Sequence, residues 1–305
     1  MAFIKRSYLE FLKLEPLEFK ASYFEPVNLK SAGAYIDSYI VQYINSLKWN
    51  YKVFEFDFQG IAVKLKISEG KGIKKILYYF CFLIYLFSQV RSIRELEVSI
   101  IRCPLKKMMP RDGMMTPLHV NSGLTYGTHV LVYRNEEMIK VLTHELIHAF
   151  GVDRKTISAI EEKEITDLFG IKCKSVFINE AFTDTLACYI NAVMYAVLNG
   201  ERVSSALAKE KRHIVRVAEE ILWRRRQNRA QGVCEKTHVT AYYVIKAMLF
   251  KRLPAFIWLL QKHHMCFEFE IREFIELIKG CDELVPRSHG LRSLRMSCLE
   301  ILKGI

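Results

Sequence analysis

His144, Glu145 and His148 are the residues of this chain best placed to do chemistry. They fall inside Asn135-Glu-Glu-Met-Ile-Lys-Val-Leu-Thr-His-Glu-Leu-Ile-His-Ala-Phe-Gly151, which reads as one helix. Asn135 suits an N-cap, Glu136 and Glu137 oppose the positive helix end, and Gly151 suits a left-handed close. Ile139, Leu142, Leu146 and Ala149 recur at helical spacing and predict a core-facing stripe. His144 and His148 are then one turn apart, roughly opposite that stripe. Two imidazoles stacked in this way can reach one metal ion, with Glu145 directed at a metal-bound water.

Residues 178–189, Ile-Asn-Glu-Ala-Phe-Thr-Asp-Thr-Leu-Ala-Cys-Tyr, predict a second helix with Glu180 and Asp184 one turn apart. Taken alone, those carboxylates also fit a solvated face, and the two histidines fit an ordinary helix. Taken together, the stretches supply what a catalytic zinc site needs. His144, His148 and Glu180 are three ligands, and Glu145 is a base. Asp184 is a carboxylate able to hold the outer nitrogen of a ligand histidine.

The pattern His-Glu-x-x-His followed downstream by Asn-Glu-Ala-x-x-Asp resembles the gluzincins, the thermolysin-like clan of zinc peptidases. The stretch from Val120-Asn-Ser-Gly123 through Tyr133-Arg-Asn-Glu-Glu137 is also similar to zinc peptidases encoded by large DNA viruses. The two resemblances cover about residues 120–190. They imply one Zn²⁺ held by His144, His148 and Glu180, with Glu145 as general base and Asp184 behind the ligands. The segment from His148 to Glu180 is longer than its thermolysin-like counterpart. Gly151 also occupies the glycine position of a rival clan, the metzincins, but Arg154 stands where that clan has its third histidine, and Asp153 is one residue out of register.

The elements that must position these residues are also legible. Residues 1–30, with Pro16 and Pro26, are expected to wrap the domain. Ser31-Ala-Gly opens a helical pattern through Tyr35, Ile36, Tyr39, Ile40, Tyr43, Ile44 and Leu47. Phe54, Phe56 and Phe58 alternate with Glu55 and Asp57. After Gln59-Gly60, Ile61, Val63, Leu65 and Ile67 alternate with Lys64 and Lys66, which predicts a hairpin with one buried face. An apolar helix over 73–90 follows, then a strand over 95–100 and a long loop over 104–127. Thr128–Tyr133 reads as a short strand directly before the His-Glu-x-x-His helix. This order is that of the N-terminal lobe in zincin peptidases. By that resemblance, strand 128–133 is the edge along which an extended polypeptide substrate pairs.

After Asp184 the pattern is helical, over 180–198, 203–229, 238–250, 254–263 and 267–279. The expected fold is therefore α+β and zincin-like. Residues 1–151 form a sheet-containing N-terminal lobe, and 152–305 form an all-helical C-terminal lobe that carries the third ligand. The zinc cleft is expected between them. Gluzincins add a Tyr or His from the C-terminal lobe to stabilise the oxyanion. Thr237-His-Val-Thr-Ala-Tyr-Tyr243 offers both, with Tyr242 on the face of His238 and Tyr243 as runner-up.

The bulk composition sets outer bounds. The 305 residues are about half apolar, enough for one large core or two subdomains. The net charge of +12 points to an acidic partner. Lys209, Lys211, Arg212, Arg216, Arg224, Arg225, Arg226 and Arg229 on helix 203–229 form either a solvated face or a surface for one. A catalytically inactive binding protein using that face on nucleic acid, anionic membrane or acidic protein is the rival reading, and an intact Glu145 speaks against it. Eight scattered cysteines without a Cys-x-x-Cys pair fit reduced thiols. With charges spread through the first residues, this predicts an intracellular protein, in the infected cell or virion if viral. The apolar run Ile76–Val90 is shorter than a membrane span needs, so no transmembrane segment is expected.

Overall fold

A computed structural model describes residues 2–14, 19–27, 29, 36–110, 115–169, 176–227, 237–281 and 284–301. The chain divides into two units. The first comprises the described residues of Met1–Lys106, Asn121–Val152 and Glu300–Ile305, and the second those of Lys107–Val120 and Asp153–Leu299.

The first unit is a mixed α/β structure built on an open six-stranded sheet. Its strands are β1 (Tyr23–Pro26), β2 (Asn50–Phe58), β3 (Ile61–Ser68), β4 (Glu95–Ile100), β5 (Gly123–Tyr126) and β6 (His129–Val132). They lie in the order β1-β2-β3-β4-β6-β5. β3, β4 and β6 run parallel to one another, and β1–β2, β2–β3 and β5–β6 are antiparallel. The hairpin of β2 and β3 follows the expected alternation. Phe58 pairs with Ile61, so Gln59 and Gly60 form a two-residue turn, and both have positive φ (55° and 74°), as that turn requires. Val63, Leu65 and Ile67 are buried, and the lysines between them are half-buried.

Helices α1 (Ala2–Phe11), α2 (Ser38–Ser46), α3 (Ile73–Ser88) and, later in the chain, α5 (Met138–Ala149) belong to this unit. In α3 ten side chains are buried, and Tyr8 and Phe11 of α1 set their rings edge-on to Phe82 at 5.3 and 5.7 Å. Asp37 caps α2 by accepting from the Tyr39 N–H at 3.0 Å. The expected opening of that helix at Ser31–Gly33, and Tyr35, lie outside the described residues.

Two expectations need correction here. The loop over 104–127 contains the short helix α4 (Pro117–Val120), which belongs to the second unit, and the strand β5. Its four residues show no apolar–polar alternation, so only pairing with β6 reveals it as a strand. The strand expected over 128–133 is β6, and it is not an edge: it lies between β4 and β5, bonded to both. The edge is β5.

The second unit is helical. It comprises α4, α6 (Ala159–Leu168), α7 (Ile178–Leu198), α8 (Val203–Gln227), α9 (Lys246–Lys251), α10 (Leu253–Lys262) and α11 (Ile271–Lys279). Ser158 and Glu161 close a capping box on α6, within the long connection that precedes Glu180. Thr240–Ile245, expected as ordinary α-helix, is a π-helical turn running directly into α9. The last helix begins at Ile271, four residues later than expected, behind a Glu270–Glu273 capping box. Among the described residues, α7 is the one helix long and apolar enough to cross a membrane, and 83% of its apolar window is buried within the chain. The basic residues of α8 are partly committed. Lys209 pairs with Glu201, Arg224 pairs with Glu220 at 2.7 Å, and Arg225 donates to Thr240 at 3.0 Å. Arg229 lies outside the described residues, as do Cys173 and Cys234. Cys81, Cys103, Cys188, Cys266, Cys281 and Cys298 are free thiols.

Candidate metal centre

The histidine-bearing helix is shorter than its sequence suggests. Asn135 does not cap it: α5 starts at Met138, and Glu137 occupies the cap position with a left-handed φ of 57°. The chain must turn sharply out of β6 to enter the helix, which displaces the start past the expected cap. The far end matches expectation, since Gly151 has φ 65° after the C-cap Phe150. α5 packs on α3, β5 and β6, and Ile139, Leu142, Leu146 and Ala149 are all buried, as are His144 and Glu145. Phe150 meets Phe87 of α3 at 5.7 Å between ring centres.

One turn of α5 brings the two imidazoles together, Nε2 to Nε2 at 3.1 Å, with the rings edge-on. A metal ion bound tetrahedrally at about 2.0–2.1 Å by two nitrogens holds them roughly 3.3 Å apart, so the pair already has the spacing of two ligands. Glu180, the third ligand expected from the sequence, stands in the first turn of α7, in the second unit. Two neutral imidazoles and a carboxylate could hold a divalent metal ion, and three protein ligands leave a coordination position open.

Glu145 is held from β5. The Thr125 hydroxyl donates to its Oε2 at 2.7 Å and lies 3.0 Å from its backbone carbonyl. Gly123 is on the same face of the strand, two residues away, and an added Cβ there would stand 2.6 Å from Glu145 Oε1. A glycine at 123 thus keeps the space beside Oε1 open. Tyr133, which follows β6, is pushed upward in pKa chiefly by burial, with Arg134 opposing and Glu145 adding to the rise. Sequence reasoning missed Thr125 and Gly123, because their link to Glu145 runs through the β5–β6 pairing. Gly123→Ala should therefore displace the Glu145 carboxylate and lower any Glu145-dependent turnover by roughly tenfold or more, with metal content unchanged. Wild-type turnover in that variant would show that the close approach is irrelevant.

Asp184 has a partner the spacing did not suggest. It is fully buried, and Lys246 of α9 donates to its Oδ2 at 2.6 Å. The same ammonium donates to the Met296 carbonyl at 3.0 Å and lies 5.6 Å from the centre of the Tyr243 ring. Tyr243 is itself a core residue, 1% exposed, donating its hydroxyl to the Leu294 carbonyl at 2.8 Å. Tyr242 is half-buried in the π-helical turn, its N–H donating to the His238 carbonyl at 2.9 Å and its ring 6.0 Å from that of His238. His238 in turn meets Phe177, which caps α7, at 4.7 Å.

Comparison of the chain with family models, with curated proteins and with solved structures finds no match.

Proposed function

We propose that this chain is a zinc-dependent peptidase of zincin-like type, with His144, His148 and Glu180 as ligands. The observation that carries the reading is the pair of imidazoles at ligand spacing beside a carboxylate, Glu145, that two residues of an edge strand position. Two histidines and a glutamate form the donor set of catalytic zinc sites, and a site serving structure alone has no use for a fixed carboxylate next to it. When bound there, zinc supplies Lewis-acid polarisation of the scissile carbonyl and a water of lowered pKa.

The chain's own groups do the rest. Glu145, its Oε2 occupied by Thr125, takes the water's proton at Oε1 and passes it to the leaving amine. No side-chain nucleophile is needed. An extended polypeptide substrate pairs along β5, whose backbone runs past Glu145, rather than along β6. Asp184 supports the ligand set from α7, and Tyr242 donates to the developing oxyanion.

The zinc-loaded chain should hydrolyse members of an unstructured-peptide mixture. Tyr242→Phe should lower kcat by about 10²–10³ with zinc content and KM little changed, the usual loss of one oxyanion donor. Absence of hydrolysis across the mixture, with binding of an acidic partner that persists after zinc removal, would replace this reading by that of a binding protein using its basic surface.

A further inference from the structure

The start of α3 carries positive charge that no acidic partner among the described residues neutralises. Its N-cap is Gly72, left-handed at φ 76°, with no side-chain capping bond, and the first turn holds no acidic residue. Lys74 and Lys75 stand there instead, against the positive end of the helix dipole. Lys71 precedes them, and Arg102 follows β4 nearby. Among the described residues none of these four cations is in an ion pair.

A cavity of about 210 Å³ adjoins this region, lined by Trp49, Glu69, Gly70, Lys71, Arg102 and Asn135. Arg102 is fixed across it. Its backbone N–H donates to Ser68 Oγ at 2.9 Å, its Nη1 donates to the Lys71 carbonyl at 2.6 Å, and its Nε lies a long 3.5 Å from Asn135 Oδ1. Gly70 makes this possible, because a Cβ there would collide with Nη1. Burial disfavours the charge on Arg102, so an anion would relieve it. Asn135, unused as a helix cap, lines the same cavity. Glu69 is the one carboxylate on the wall, and it is exposed.

We infer that this cavity binds a phosphoryl group, with Arg102 and Lys71 as its charged contacts and Asn135 as a neutral donor. The volume of about 210 Å³ is enough for a phosphoryl group. Two cations and an amide favour a multiply charged tetrahedral anion over a single carboxylate. The group could belong to a soluble phosphate ester or to a lipid headgroup. The inference does not depend on the peptidase reading.

Calorimetric titration of the full chain with inorganic phosphate, at constant ionic strength and with chloride as reference, should show saturable binding. Arg102→Gln and Lys71→Gln should each weaken it by roughly tenfold or more, the loss of one charge-assisted hydrogen bond. Lys279→Gln, which removes a charge of the second unit already paired with Glu164, should leave it unchanged. The Lys71 ammonium has no partner among the described residues, so Lys71→Gln leaves the fold intact. Phosphatidylcholine vesicles with and without a phosphoinositide separate the sources: capture by the phosphoinositide vesicles alone identifies a lipid headgroup, and phosphate binding without capture identifies a soluble ester. The inference fails if phosphate binding does not saturate, if Lys71→Gln binds as wild type, or if Lys279→Gln loses as much as Arg102→Gln.

Discussion

Glu145→Gln should keep the fold and the bound metal yet lower peptide hydrolysis by about 10²–10⁴-fold, the contribution of a positioned general base. The substitution is close to isosteric. Its side-chain oxygen can still accept from the Thr125 hydroxyl, so the contact with β5 at 2.7 Å survives while the proton acceptor is lost. His144 and His148 are unaltered in this variant, so metal content should match the wild type. The loss should therefore fall on kcat with KM nearly constant, because a group that acts only on the moving proton contributes little to ground-state binding. Turnover within a few-fold of wild type would make Glu145 a bystander and end the mechanism.

The second large effect concerns stability. Lys246 and Asp184 are 1% and 0% exposed at the side chain, so the pair is closed off from solvent. Removing one partner of such a pair leaves a buried uncompensated charge and costs about 3–5 kcal/mol. Lys246→Met should lower the unfolding free energy by about that much in urea titrations. Replacing both partners with apolar residues, Asp184→Leu with Lys246→Met, should recover most of the loss, because the pair's desolvation cost disappears with it. Asp184→Ala alone should combine two losses, about 10–100-fold in metal affinity and a stability deficit from the stranded lysine. A Lys246→Met variant as stable as wild type would mean that the pair is solvated in solution.

What was legible in the sequence is what local geometry dictates. The two histidines meet because four residues make one helical turn, and the β2–β3 hairpin follows from strict alternation around Gln59-Gly60. Gly151 closes α5 as its freedom at positive φ allows. What the sequence hid depends on distant partners. β5 is a strand only because β6 pairs with it, so both the true sheet edge and the supports of Glu145 at Thr125 and Gly123 were invisible. Asp184 and Lys246 lie 62 positions apart, and no periodicity links them. The π-helical turn has no sequence marker, although the one-turn relation of His238 to Tyr242 survives it through their backbone hydrogen bond. Asn135 has the composition of a cap and is displaced by the turn out of β6, which puts Glu137 there instead.

The most direct test is metal content. The purified chain, reconstituted with zinc and dialysed, should carry one equivalent per chain by elemental analysis, and His148→Ala treated identically should carry almost none. Equal zinc in the two proteins, or no retained zinc in the wild type, would contradict the assignment of His144, His148 and Glu180 as a metal site.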